Sequence, residues 1–177
     1  HYAGLLKILT DGAGVTTIEE RKSLALQAFN TSSHYDTAIF NYFNRNGEAD
    51  VFKQSVLQSK PLRYGENPHQ KGTFYGDFES LFHQLHGKEI SYNNLLDIEA
   101  AVYLIDDFTE PTFAILKHNN ACGVASRNDL TEAWKDALAG DPVSAYGGIL
   151  ITNGEVDIKT ATEIDALFFE VIIAPAY

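Results

Sequence analysis

The 177 residues carry a formal net charge of −11, with 45% hydrophobic and 21% charged side chains and a single cysteine. The apolar share supports a sizeable core, while the acidity argues against a general nucleic-acid or anionic-membrane binder but leaves room for a small phosphate held by local cations. One cysteine excludes an internal disulfide and a thiolate-rich zinc site. No apolar run reaches transmembrane length and the N-terminus has no signal-peptide layout, so a cytoplasmic protein is expected.

In chain order, residues 1–15 hold a short apolar piece (Leu5, Leu6, Ile8, Leu9) that breaks at Asp11-Gly-Ala-Gly14. Thr17-Ile-Glu-Glu20 has capping-box spacing and predicts a helix to about Phe29. Ser33 is expected to cap a second helix, with Tyr35, Ile39, Tyr42 and Phe43 on one face and Asn46-Gly47 as its stop. Residues 48–60 are weakly patterned and mark a boundary. A polar cluster follows, Arg63-Tyr64-Gly65-Glu66-Asn67-Pro68-His69-Gln70, then a short aromatic strand, Thr73-Phe-Tyr75, ended by Gly76. Residues 77–90 are ambiguous between helix and loop.

Asn94 is expected to open a clearer helix with Leu95, Ile98, Val102 and Ile105 inward, Asn93 and Asn94 serving as caps. Thr112–Leu116 reads as a buried strand after Pro111. A helix over about residues 128–139 points Leu130, Trp134, Ala137 and Leu138 inward and stops at Gly140. The loop Asp141-Pro-Val-Ser-Ala-Tyr-Gly-Gly148 feeds a strand at Ile149–Thr152, and Asn153-Gly154 turns the chain. A helix from Asp157 to about Phe168 and a strand at Val171–Ala174 complete an α/β class.

Chemistry concentrates where the Phe113–Leu116 run ends in Lys117, His118, Asn119 and Asn120. Polar loops beyond strand ends are the usual ligand sites of open α/β sheets. A histidine there can act as general base near neutral pH, and a neighbouring lysine can stabilise a developing oxyanion. The residue types alone favour the plainer description, an exposed strand-end lysine and a histidine satisfying loop carbonyls. Arg63 and Tyr64 offer a guanidinium fork for phosphate or carboxylate and an aromatic face for a flat base, or simply a well-bonded surface turn. Tyr146-Gly147-Gly148 permits close backbone approach to a ligand. Cys122 reads as a small packing residue. His34, His83 and His86 read as surface or core residues, and no metal is expected because His83-x-x-His86 lacks a third ligand.

Five stretches together change the balance: Leu62–Gln70, Ser91-Tyr-Asn-Asn-Leu95, Leu116–Ala125, Asp141–Gly148 and Val171-Ile-Ile-Ala-Pro175. In order and spacing they resemble the PurH family of bifunctional purine-biosynthesis enzymes, which join AICAR transformylase to IMP cyclohydrolase. The resemblance implies a three-layer α/β/α, cytidine-deaminase-like transformylase fold without the deaminase zinc, preceded by a helical connector. Residues 1–60 would be the tail of the cyclohydrolase domain and the connector, and residues 61–177 the first part of the transformylase. The implied reaction transfers a formyl group from 10-formyltetrahydrofolate to the 5-amino group of AICAR. By matching position, His118 would move the proton and Lys117 would stabilise charge. Arg63, Tyr64 and Gly147 would bind the nucleotide, and Asn119 and Asn120 would line the site.

The family also implies a homodimer with sites formed across its interface. The chain starts at His1 and contains no methionine, which reads as a processed chain or part of a longer protein. It is therefore expected to be inactive alone. Two competing readings are a non-catalytic nucleotide-binding module and a zinc-dependent deaminase-fold relative.

Overall fold

A computed structural model describes residues 2–177. They divide into two compact units, one running to Ser59 and including Tyr75–Asp77, the other comprising Lys60–Phe74 and Phe78–Tyr177.

The first unit contains α1 (Tyr2–Asp11) and α2 (Ile18–Phe43). The capping box is present: Thr17 Oγ1 accepts the Glu20 N–H at 3.2 Å, and the Glu20 carboxylate accepts the Thr17 N–H at 2.7 Å. The two expected helices are one, 26 residues long. Ser33 does not cap. Its hydroxyl donates back to Asn30 O, as Thr31 does to Gln27 O and Thr37 to Ser33 O, so these side chains stay within a continuous helix instead of offering the backbone an alternative. Asn44 ends α2, and its amide both donates to Ala49 O and accepts from Ala49 N–H. Neither helix buries a residue.

The second unit is built on a four-stranded sheet ordered β4-β3-β5-β6, with β3 (Thr112–Lys117), β4 (Asn120–Ser126), β5 (Ile149–Thr152) and β6 (Val171–Ile173). β3 lies antiparallel to both β4 and β5, whereas β5 and β6 are parallel and are joined through α6 (Ile158–Ile164), as a parallel pair requires a crossover. The mixture of helices and strands is compatible with the α/β class. β1 (Ser59–Pro61) and β2 (Thr73–Tyr75) pair separately, and α3 (Phe78–Leu81) occupies part of the ambiguous stretch.

Alternation along β3 and β5 divides the core. Phe113, Ile115 and Leu150 face α5 (Leu130–Gly140) and α6, in a cluster centred on Trp134; Ala114, Leu116, Ile149 and Ile151 face α4 (Tyr92–Asp106) with Ile98 and Ala101. Full burial of such side chains contributes about 1.5–3 kcal/mol each. Phe113 and Trp134 meet edge to face, 5.1 Å between centroids.

Several expectations are corrected at element ends. Ser91, not Asn94, caps α4; Asn94 is the third helical residue and completes the box through its side-chain oxygen. The inward face is Asn94, Ile98 and Ala101, with Ile105 half-buried, so Val102 points outward. Asp129 caps α5, Gly140 lies within that helix, α6 ends at Ile164 and β6 ends at Ile173.

The largest revision is β4. The sequence pattern predicts no element over residues 120–126, yet a strand forms there, obscured by small residues that its packing demands. A side-chain carbon on Gly123 would overlap the carbonyl of Ala137, so only glycine lets α5 lie this close.

Candidate active site

Lys117 is the last residue of β3 and Asn120 the first of β4; they pair across a two-residue turn. The turn residues His118 and Asn119 have φ of 54° and 61°. Consecutive left-handed residues make the tight turn whose twist suits antiparallel strands. Left-handed backbone costs roughly 1–2 kcal/mol per non-glycine residue, less for asparagine, so the surroundings must hold it. Two contacts do. The Asn119 N–H donates to Asp97 Oδ1 at 2.7 Å, and Asn120 Nδ2 donates to His118 O at 2.7 Å.

The register of β3 on β4 slips between Ile115 and Leu116, leaving Cys122 as the extra residue. Such bulges re-aim side chains next to sites. Lys117, His118, Asn120, Ala121, Cys122, Asp141 and Ser144 line a cleft of about 450 Å³. Burial pushes the Cys122 thiol up from its ordinary value, and the Asp141 charge adds to this while Lys117 opposes it. The thiol is thus held protonated, consistent with a packing role. Asp141 accepts the Ser144 N–H at 3.0 Å and hydroxyl at 2.6 Å, and these bonds hold its carboxyl below the usual range. A stable anion therefore lines the same cleft as Lys117.

Lys117 Nζ donates to Tyr146 O at 2.7 Å. One of its three donors is used, leaving two for a ligand. The next residue, Gly147, has φ of 72°, which glycine adopts without strain. Its N–H donates to Phe168 O at 2.8 Å, so that donor is already taken.

Arg63 and Tyr64 lie in the loop between β1 and β2 and do not line the cleft. The Arg63 guanidinium lies 4.8 Å from the Tyr64 ring centroid and donates to Tyr64 Oη at 3.1 Å. Backbone bonds anchor both residues, Arg63 N–H to Ile90 O and Tyr92 N–H to Tyr64 O. Asn93 Nδ2 donates to Glu66 O.

The first turns of α4 connect the separate stretches. Tyr92 and Asn93 hold the Arg63–Gln70 loop, Asp97 holds the hairpin turn, and Asn94 Nδ2 donates to Glu170 Oε2 at 2.7 Å. Glu170 N–H in turn bonds Gly148 O. The anchoring residues run from Tyr92 to Asp97, a rise of about 7.5 Å along the helix, so Lys117–Asn120, Arg63–Tyr64 and Tyr146–Gly148 are gathered around one helix end. Sequence reading missed Asp97 and Glu170. The available signal for Asp97 was an acid inside the otherwise apolar run Leu95-Leu96-Asp97-Ile98.

A larger concavity of about 660 Å³ is lined by Lys60, Glu79 and residues 84–89; it contains none of the expected site residues. Among the described residues, no group of three His, Cys, Asp or Glu side chains is arranged to hold a metal ion, and no helix is long and apolar enough to cross a membrane.

Residues 1–177 match the family model described as AICARFT/IMPCHase bienzyme. The chain is 62% identical over 176 residues to the bifunctional purine biosynthesis protein PurH of Bacteroides thetaiotaomicron, covering 99% of this chain and 34% of that protein. The PurH protein of Chloroflexus aurantiacus is 48% identical over 179 residues (99% and 35%), and that of Rhodospirillum rubrum 44% over 182 residues (98% and 35%). The chain thus spans about a third of the length of these curated relatives.

Proposed function

The chain belongs to the AICARFT/IMPCHase bienzyme family, and from that membership we propose that it carries part of the centre that formylates AICAR in purine biosynthesis. The observation that carries the reading is the hairpin turn that puts Lys117 and His118 at one cleft, with Arg63 and Tyr64 gathered by the same helix end.

In the proposed reaction the 5-amino nitrogen of AICAR bonds to the formyl carbon of 10-formyltetrahydrofolate. The bond from that carbon to the folate N10 breaks, the amine loses a proton, and N10 gains one. His118 accepts the amine proton, a contribution typical of general bases at about 10²–10⁴-fold. Lys117, steadied by Tyr146 O, places its remaining donors on the charged intermediate or the departing nitrogen. The Arg63 fork and the Tyr64 face hold the nucleotide, with the Gly147 carbonyl as a backbone contact and Asn119 and Asn120 at the rim. In the whole enzyme the formylated product then closes to IMP with loss of water.

The same reading assigns residues 1–60 to the cyclohydrolase tail and connector and residues 61–177 to the first part of a three-layer, cytidine-deaminase-like transformylase domain. A sheet with α4 on one face and α5 and α6 on the other supports it. A cytoplasmic homodimer using a reduced-folate co-substrate and no metal completes the proposal. The isolated segment is inactive.

The test uses a full-length family enzyme carrying this segment. Lys117→Ala should lower kcat by about 10²-fold or more while AICAR affinity, followed by calorimetric titration, changes little. Arg63→Ala should instead weaken AICAR binding by about tenfold or more. If Lys117→Ala leaves turnover untouched, the segment is a nucleotide-binding module rather than part of a catalytic centre.

A further inference from the structure

We propose that Asp97 is a positioning residue that sets the direction of His118 by locking the central peptide of the hairpin turn. The inference rests on the reading of His118 as the proton acceptor.

The peptide unit between His118 and Asn119 has two polar ends, His118 O and Asn119 N–H. Both are occupied: Asn120 Nδ2 donates to the oxygen and Asp97 Oδ1 accepts from the N–H, each at 2.7 Å. With the Asn119 amide assigned by its hydrogen-bonding surroundings, its nitrogen toward α4, it donates to Asp97 Oδ1 at 3.0 Å and Leu96 O at 3.2 Å.

A peptide plane held at both ends cannot rotate. Rotation by a half turn would keep His118 at positive φ but convert the turn to the form that favours glycine at that first position. The flip would leave both Cα atoms nearly in place but crowd the turned peptide against the histidine's own Cβ, the crowding that makes glycine preferred there, and so press the side chain out of its direction. Neither turn residue is glycine, so the conformation depends on outside support.

Asp97 supplies that support from a rigid base. It sits between the buried Asn94 on one side and the buried Ile98 and Ala101 on the other. Asn94 is itself fixed by Ser91 and Glu170. None of the bonds assigned to Asp97 touches His118 or the cleft-facing atoms of Lys117, so its role is geometric. A displacement of about 1 Å at a catalytic group can cost 10²-fold.

The experiment is steady-state kinetics on the full-length enzyme with Asp97→Ala, Asp97→Asn and His118→Ala. Asp97→Ala should lower kcat by 10- to 100-fold with the KM for AICAR within about threefold. Asp97→Asn keeps an oxygen acceptor and should restore most of kcat. If Asp97→Ala does not fold, Asp97→Glu carries the same test, because its extra methylene displaces the acceptor while keeping the charge; it should also lose kcat. The proposal is overturned if His118→Ala abolishes turnover while Asp97→Ala or Asp97→Glu leaves kcat intact. Equal losses in Asp97→Ala and Asp97→Asn would overturn it as well, by showing that charge and not acceptor geometry matters. If His118→Ala itself leaves turnover unchanged, the premise falls, and that result is separate from any behaviour of Asp97.

Discussion

At the scale of single residues, the site is a matter of which groups are held and which remain available. Lys117 gives one donor to Tyr146 O, and Gly147 gives its N–H to Phe168 O. Cys122 shares the cleft but lies above the ordinary thiol range because of burial first and Asp141 second. Its thiolate is thus scarce near neutrality. Alkylation of Cys122 followed by peptide mapping should accelerate only at pH above the midpoint of an unfolded control, and a midpoint below the control would contradict the account. The residue types at 117–120 were legible in the sequence as a candidate site. Their geometry was not, because the partner that holds the turn, Asp97, is 22 residues away from Asn119 and belongs to an element read for its apolar face and its caps.

Among the elements, the strongly signalled ones were readable: the Thr17 box, the buried Thr112–Leu116 run, the helix around Trp134 and the Asp157 cap all stand near their expected places. Failures have specific causes. Hydroxyls bonded back to helical carbonyls concealed the continuity of α2, and Gly123 and Ala125 concealed β4, glycine being required where α5 packs against it. Gly123→Ala should therefore destabilise by about 1–3 kcal/mol through overpacking, read as a lowered midpoint in denaturant. Ser91→Ala should cost about 1 kcal/mol through loss of the α4 cap.

The aspartate caps give a pH dependence. Asp129 lies below its ordinary value mainly because Lys159 hydrogen-bonds it, and Asp157 mainly because the Thr160 backbone does. A carboxyl lowered on folding stabilises fully above its unfolded pKa, about 3.9, and loses that contribution as pH falls through the folded value. Melting temperature should hold down to about pH 5 and drop below pH 4, with a smaller drop in Asp157→Asn.

For the whole molecule, the two units differ in kind. The sheet unit encloses its own core, whereas α1 and α2 bury nothing and expose Leu26, Phe29, Tyr35, Tyr42 and Phe43 at 62–73%. Apolar surface of that extent promotes association. Sedimentation of the isolated 177-residue chain should show self-association at micromolar concentration, and a strictly monomeric chain would contradict this.

The central claim, that the Lys117–His118 turn performs formyl transfer, is tested most directly by single-turnover kinetics. Full-length enzyme with His118→Ala, saturated with AICAR, is mixed with limiting 10-formyltetrahydrofolate and the appearance of tetrahydrofolate is followed. The account predicts a transfer rate at least 10²-fold below that of the unmodified enzyme, with AICAR still bound. An unchanged rate would show that the proton leaves by another group and that this hairpin is scaffold.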